Sequence, residues 1–158
     1  MNWQQVCEDK TLHNLPYKIE LNKQGQVIMS PASIRHVFFQ AEIMSLLRDN
    51  LKTGKIVPEF PVETADGVKV ADVAWLTIEQ SEIVKNNISS AFSPIICVEV
   101  LSPSNTAIEM DRKKALYFEK GAEEFWLCDQ EGVMSFYDKN GQLEHSKLVS
   151  AFPMTIVI

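Results

Sequence analysis

Two acidic residues of this chain stand in surroundings that disfavour charge. Asp72 lies within the apolar run VKVADVAWL, and Glu99 lies near the end of PIICVEVLS, the most hydrophobic segment in the sequence. An uncompensated charge in such a segment costs several kcal/mol, so each carboxylate needs a partner. A hard divalent cation such as Mg²⁺ is one partner, because it takes one or two carboxylates together with carbonyl and water oxygens. A lysine, or a loop N–H that the acid caps, is the other. For either acid taken singly, that ordinary pairing is the better account.

Cationic groups arrive next in the chain. The run EVLSPSN leaves the Glu99 segment through a turn and enters a helical stretch bearing Arg112, Lys113 and Lys114. On a wheel of about 100° per residue, Glu109, Lys113 and Lys120 share one side with Tyr117 beside them, whereas Lys114 projects among Ala107, Met110 and Phe118. Read alone, Glu109 and Lys113 form an i,i+4 surface pair worth a few tenths of a kcal/mol. Ser102 and Ser104 lack the G-x-S-x-G surroundings of a nucleophile elbow and read as a strand-to-helix turn. Trp75, Phe125 and Trp126 sit in strand-like runs and read as core.

The elements that must position these groups follow from pattern and punctuation. Residues Ile19 to Ser30 read as a β-hairpin around Asn22 and Gly25. Ser33 precedes a helix in which Ile34, Val37, Phe38, Ala41, Met44, Leu47 and Leu51 recur at helical spacing until Gly54 stops it. KIVPEFPVET and VKVADVAWL read as antiparallel strands about the turn Ala65-Asp66-Gly67, and PIICVEVLS as a central strand covered on both faces. Residues 78–92 are irregular with room for a short helix. Thr106 to Gly121 makes a second long helix, capped at Ser104, Asn105 or Thr106. EEFWLCD, VMSFYD, LEHSKLVS and MTIVI follow as strands, with Asn140-Gly141 a hairpin turn. The economical architecture is an α/β fold: a mixed sheet flanked by helices, with additional antiparallel strands.

Composition bounds the rest. With 158 residues, 46% of them apolar, the chain suits one domain, taken as a core over 17–138 with an extension over 1–16 and terminal strands over 139–158. A net charge of -6 argues against coating nucleic acid through bulk charge, so any such contact must be local. Cys7, Cys97 and Cys128 have no CxxC spacing and suggest neither a disulfide framework nor a zinc knuckle, which fits a reducing cytoplasm. No segment has the apolar length of a membrane span.

The segments GQVIMSPAS, VETADGVKVADVAW, PIICVEVLSPSN and EMDRKKALYFEKGAEEFWLCD together resemble the bacterial putative restriction endonuclease family, a branch of the PD-(D/E)XK nuclease superfamily. The likeness runs from about Tyr17 to Asp138. It implies a restriction-endonuclease-like fold in which Asp72 is the first acid of the motif, Glu99 the second and Lys113, four residues before Tyr117, the lysine. The usual pattern sets that lysine two positions after the second acid, where this chain has Leu101, so the family's alternative of a lysine on the next helix applies; Lys114 stays open beside it. The resemblance further implies a Mg²⁺ or Mn²⁺ ion held by Asp72, Glu99 and the main-chain carbonyl of Val100, polarising a phosphodiester and lowering the pKa of a bound water. Glu42 and His36 on the first long helix are further candidates. Gln26 stands where many relatives carry Glu, so an acid from the first hairpin is expected to be missing.

The function expected is therefore metal-dependent hydrolysis of nucleic acid, with DNA as the substrate of choice, in a homodimeric cytoplasmic endonuclease. The alternative is an inactive nuclease fold that binds nucleic acid or regulates. A third reading makes MTIVI the pairing edge of a structural homodimer.

Overall fold

In the computed structural model, which describes residues 1–158, eight strands form one sheet. The chain enters through a short helix α1 (Trp3–Glu8), then β1 (Tyr17–Leu21) and β2 (Val27–Pro31) make the first hairpin. Helix α2 (Ile34–Asn50) follows, then β3 (Lys55–Thr64) and β4 (Gly67–Leu76), a short helix α3 (Ile78–Val84) and the central β5 (Ile96–Val100). Helix α4 (Ala107–Glu119) leads to β6 (Glu124–Cys128), β7 (Met134–Asp138) and β8 (Gly141–Leu143). The strand order is β2-β1-β4-β5-β6-β7-β8, and β3 pairs along the other edge of β4. Only β5 and β6 run parallel, joined by α4 as a crossover. The mixed sheet flanked by helices is the fold expected.

Local chemistry explains both long helices. The Ser33 hydroxyl accepts the His36 N–H at the start of α2, whose buried residues His36, Phe39, Ile43 and Leu47 repeat every three or four positions and so form one stripe. Thr106 and Glu109 close a capping box on α4. At its other end Gly121, with a φ of 102°, lets Gly121 and Ala122 return their N–H groups to the carbonyls of Phe118 and Tyr117, a Schellman closure that L-residues with a Cβ adopt poorly.

The alternation of β5 divides its side chains between two layers. Ile96, Val98 and Val100 join Phe39, Ile43 and Leu47 of α2, with Trp126 and Phe136, in the larger core. Cys97 turns the other way, to Tyr117 of α4 and Phe125. Glu99 shares the parity of Cys97 and therefore faces α4.

One part of the sheet is open by construction. β4 pairs with β3 from Gly67 to Leu76 except at Asp72, but on its other edge it meets β1 only at Leu21↔Val68 and β5 only over Val73–Trp75. Residues 69–72 therefore face a fork between β1 and β5. Carried one step further, the β4–β5 register would set Asp72 directly opposite Glu99. Like charges across an antiparallel pair are destabilising, and the ladder ends there.

The C-terminal segment departs from expectation. LEHSKLVS and MTIVI form no strands of their own; Val133 and Thr155 make a single antiparallel bridge, and the rest of 144–158 is irregular. The Met134 N–H donates to the Met154 carbonyl and the Ile156 N–H to that of Gly132, so MTIVI is tied to its own chain and is not a free pairing edge. What fastens the tail is Glu124, only 2% exposed. Its carboxylate accepts from Trp126 Nε1 (2.7 Å), Ser146 Oγ (2.7 Å) and the main-chain N–H groups of Lys147 (2.8 Å) and Leu148 (3.0 Å). Four donors compensate the buried charge without any cation. Removing the carboxylate leaves those donors without acceptors, so Glu124→Ala is expected to lower the unfolding free energy in urea by about 3 kcal/mol; a change under ~1 kcal/mol would show that the tail is held by its apolar contacts instead.

Candidate active site

The fork of the sheet gathers seven charged or titratable side chains. Asp72 and Glu99 are 1% and 2% exposed, and Lys113 is 4% exposed. Each has defined partners. Asp72 Oδ2 accepts the Val100 N–H at 2.7 Å, a backbone donor that the interrupted ladder leaves without a strand partner. Asp72 Oδ1 lies 3.0 Å from Lys18 Nζ and 3.5 Å from His36 Nε2. Glu99 Oε1 accepts from Lys113 Nζ (3.2 Å) and the Tyr117 hydroxyl (2.9 Å), while Oε2 lies 3.0 Å from Lys18 Nζ. Lys113 also reaches Glu20 Oε2 at 2.8 Å, and that same oxygen accepts the Val70 N–H at 2.7 Å. Thus two acids of the fork, Glu20 and Asp72, take the place of missing ladder acceptors.

The expected residues separate cleanly. Asp72, Glu99, Lys113 and His36 come together, and Val100 lines the same cleft with its N–H engaged by Asp72. Lys113 and Tyr117, one turn apart on α4, both turn onto Glu99, so the surface pair of Glu109 with Lys113 does not form; Glu109 serves the capping box. Lys114 lies outside, pairing with Asp111 at 3.4 Å and standing 4.2 Å over the Tyr137 ring. Glu42 forms no ion pair or hydrogen bond with the cluster and does not line the cleft. The reason is rotational: His36 and Gln40 share the site-facing side of α2, and Glu42 is about 200° round from Gln40.

Three contributors were not anticipated from sequence. Lys18 and Glu20 alternate on one face of β1, and they enter the site only because β1 ends beside β4. The hairpin therefore does supply an acid, Glu20, although Gln26 remains at the turn bonded to Asn22. A Lys and a Glu two apart in the short strand YKIEL were the available signal. Gln40 is the third: its Nε2 donates to the Asp72 carbonyl and to Glu59 Oε1, both at 2.7 Å. By register Glu59 faces Asp72 across β3 and β4, yet the pair is not made and Glu59 holds a φ of 52°. A left-handed conformation at a non-glycine residue beside a charged cluster is the kind of strain that functional sites retain.

A model of the family described as "Putative restriction endonuclease" matches residues 7–155. The chain belongs to that family. A solved structure extends the likeness to the fold. The crystal structure of a putative nuclease from Anabaena variabilis ATCC 29413 superposes with a TM-score of 0.68 at 17% identity, covering 87% of this chain and 79% of that one. No curated protein matches the chain. Membership in this nuclease family gives the buried cluster its frame, since the acids read from sequence as Asp72 and Glu99 lie where β4 and β5 part.

Electrostatics splits the two acids. Burial alone would raise the pKa of Asp72, but Lys18, His36 and the Val100 N–H outweigh it and hold the carboxyl well below the usual range. Glu99 is pushed up to about 7, by burial first; Lys113 and Lys18 offset part of this, while Asp72 and Glu20 add to it. Burial opposes the charge on Lys18 as well, but Asp72, Glu99 and Glu20 together raise its pKa well above that of a free lysine. Glu99 is thus the acid of the pair that takes up a proton first. A carboxyl with a raised folded-state pKa binds more protons folded than unfolded between about 4.5 and about 7. Its contribution to stability therefore falls as pH rises through that window. In the metal-free protein the Glu99 carboxyl carbon should titrate near pH 7 by NMR, and Glu99→Gln should flatten the loss of stability from pH 4.5 to 7; a midpoint near 4 would refute the assignment.

Proposed function

We propose that this protein is a divalent-metal-dependent nuclease that hydrolyses phosphodiester bonds of DNA, with Asp72, Glu99 and Lys113 as its catalytic residues. The observation that carries the reading is the orientation of the two acids. Asp72 Oδ2 and Glu99 Oε1 are engaged by chain donors, so Asp72 Oδ1 and Glu99 Oε2 are left pointing at one common position, now taken by a lysine ammonium.

The donor set suits Mg²⁺ or Mn²⁺. No cluster of three or more His, Cys, Asp or Glu side chains able to hold a metal is present, which disfavours a fully protein-ligated ion such as structural zinc. Two carboxylate oxygens, completed by the Val100 carbonyl, water and substrate oxygens, match the way Mg²⁺ is held. When bound, the ion would polarise the scissile phosphodiester and lower the pKa of a coordinated water.

The chain's own groups do the remainder. Lys113, fixed between Glu20 and Glu99, sets an ammonium beside the reacting phosphate and offsets the negative charge that develops there. Tyr117 holds Glu99 by its hydroxyl proton, keeping the second carboxylate oxygen aimed at the cation position. The cleft is lined by Ser30, Pro31 and Ala32 at the junction of β2 with α2 and by Ser102 and Asn105 on the β5–α4 turn, polar groups that a phosphate backbone would meet beside the acids.

Incubation with plasmid DNA in Mg²⁺ or Mn²⁺ tests the proposal. The wild type should cleave, EDTA should stop it, and Asp72→Ala and Lys113→Ala should each lower the rate at least about 100-fold. Equal cleavage by all three proteins would overturn the assignment; retention of the duplex without cleavage by any of them would favour the inactive binding module.

A further inference from the structure

The cation at the centre of the site is a residue of the chain. Lys18 Nζ stands 3.0 Å from Asp72 Oδ1 and 3.0 Å from Glu99 Oε2, the two oxygens that no other ammonium, hydroxyl or backbone N–H engages. A divalent ion bound by those oxygens sits about 2.1 Å from each. It cannot share that position with an ammonium group. We propose that Lys18 is a built-in competitor for the metal position, which it vacates onto a phosphate of bound nucleic acid, so that metal binding and nucleic-acid binding strengthen one another.

This rests on the metal reading above and adds a mechanism of control to it. The balance of charge favours the exchange. With all three acids ionised and His36 neutral, Asp72, Glu99 and Glu20 outnumber the two ammonium groups, Lys18 and Lys113, and the cluster carries one negative charge in excess. Replacing Lys18 by a divalent ion removes that excess. The way out is open, too. The Lys18 side chain is 11% exposed against 1% and 2% for the acids it bridges, and it lines the cleft beside Ser30. Lys113 lacks this freedom, being held deeper by Glu20 and Glu99.

Where the ammonium goes decides the energetics. Pulling Lys18 from two carboxylates into water alone forfeits two charge-assisted hydrogen bonds, which opposes metal entry in the free protein. A phosphodiester lying in the cleft supplies an anion to receive it and offsets that loss. Linkage then makes the effect reciprocal: whatever factor nucleic acid adds to metal affinity, metal adds to nucleic-acid affinity.

Calorimetric titration of Mn²⁺ into the full chain, with and without a short phosphorothioate DNA duplex, tests this without relying on turnover. Lys18→Met keeps the aliphatic stem and removes the ammonium. The variant should bind Mn²⁺ about tenfold or more tightly than the wild type. The duplex should tighten binding by the wild type by a larger factor than binding by the variant, whose remaining response comes from substrate oxygens on the ion, while adding Asp72→Asn should abolish binding in both. In EDTA the variant should melt below the wild type, and Mn²⁺ should raise its melting temperature by more. If Lys18→Met does not fold without metal, Lys18→Gln, which keeps a hydrogen-bond donor beside both acids without the charge, takes its place in the same titrations. Equal Mn²⁺ affinity of wild type and variant, or a wild type indifferent to the duplex, overturns the role of Lys18 while leaving the metal site standing. Absence of Mn²⁺ binding in every arm overturns the metal reading together with it.

Discussion

The rest of the structure depends on one interruption in a ladder of backbone hydrogen bonds. β4 is paired on one edge at every residue but Asp72 and abandoned on the other between Val68 and Val73, because β1 leaves it before β5 arrives. Buried backbone N–H groups must find acceptors, and in the fork side chains provide them: Glu20 for Val70 and Asp72 for Val100. Once two carboxylates are buried as acceptors, and Glu99 follows by register, cations must be buried with them. Lys18 and Lys113 answer that need from two elements, β1 and α4, that meet only at this place. The charged cluster is thus a consequence of how the strands diverge, and a small shift of β1 or β5 would dissolve it.

Such a cluster is a poor means of stabilising a fold. Taking each ion out of water costs several kcal/mol, and a well-packed apolar substitute often does as well or better. The same chain shows how a buried acid is used for stability alone. Glu124 is met by four neutral donors and by no cation, and it fastens a tail. The fork instead sets three acids around two ammonium groups, leaves an excess of charge, and tolerates a left-handed Glu59 beside it. A site whose charges are neither balanced nor dispersed has its reason in chemistry rather than in packing.

How far these features could be read from the sequence follows the range of the forces behind them. Asp72 and Glu99 stood out because each breaks an apolar strand pattern locally, and α2 and α4 because caps and stops act within a few residues; the stripe read for α2 was rotated, since Ile34, Val37 and Phe38 are exposed and His36, Phe39 and Ile43 are buried with Leu47. Lys113 could be placed on the Tyr117 side of α4 by rotation alone, and the structure sets both side chains on Glu99. Lys18, Glu20 and Gln40 carry no such local mark, since their part depends on which strands lie side by side. The tail fails for a related reason. MTIVI has the β-branched composition of a strand, but its course is set by bonds to Gly132 and Met134 and a single bridge at Val133, after Glu124 has fixed Ser146 to Leu148.

The displaced lysine has a structural cause in the same geometry. A lysine two positions after Glu99 would stand at residue 101, but β5 ends at Val100, and the Leu101 N–H is already given to the Cys128 carbonyl as the chain turns away. A side chain there has left the strand face that Glu99 occupies. Helix α4 returns past β5, and its i,i+4 pair Lys113 and Tyr117 places two donors on a single oxygen of Glu99. That concentration has a directional effect. With Oε1 held by two groups and Asp72 Oδ2 held by Val100, neither carboxylate is free to rotate, and the remaining oxygens must converge. A lysine in the strand could have supplied charge; the helix supplies charge and, through Tyr117, orientation. Convergence of two otherwise repelling oxygens is relieved by a proton on Glu99 or by a cation between them, and that is the position Lys18 fills when no other cation does.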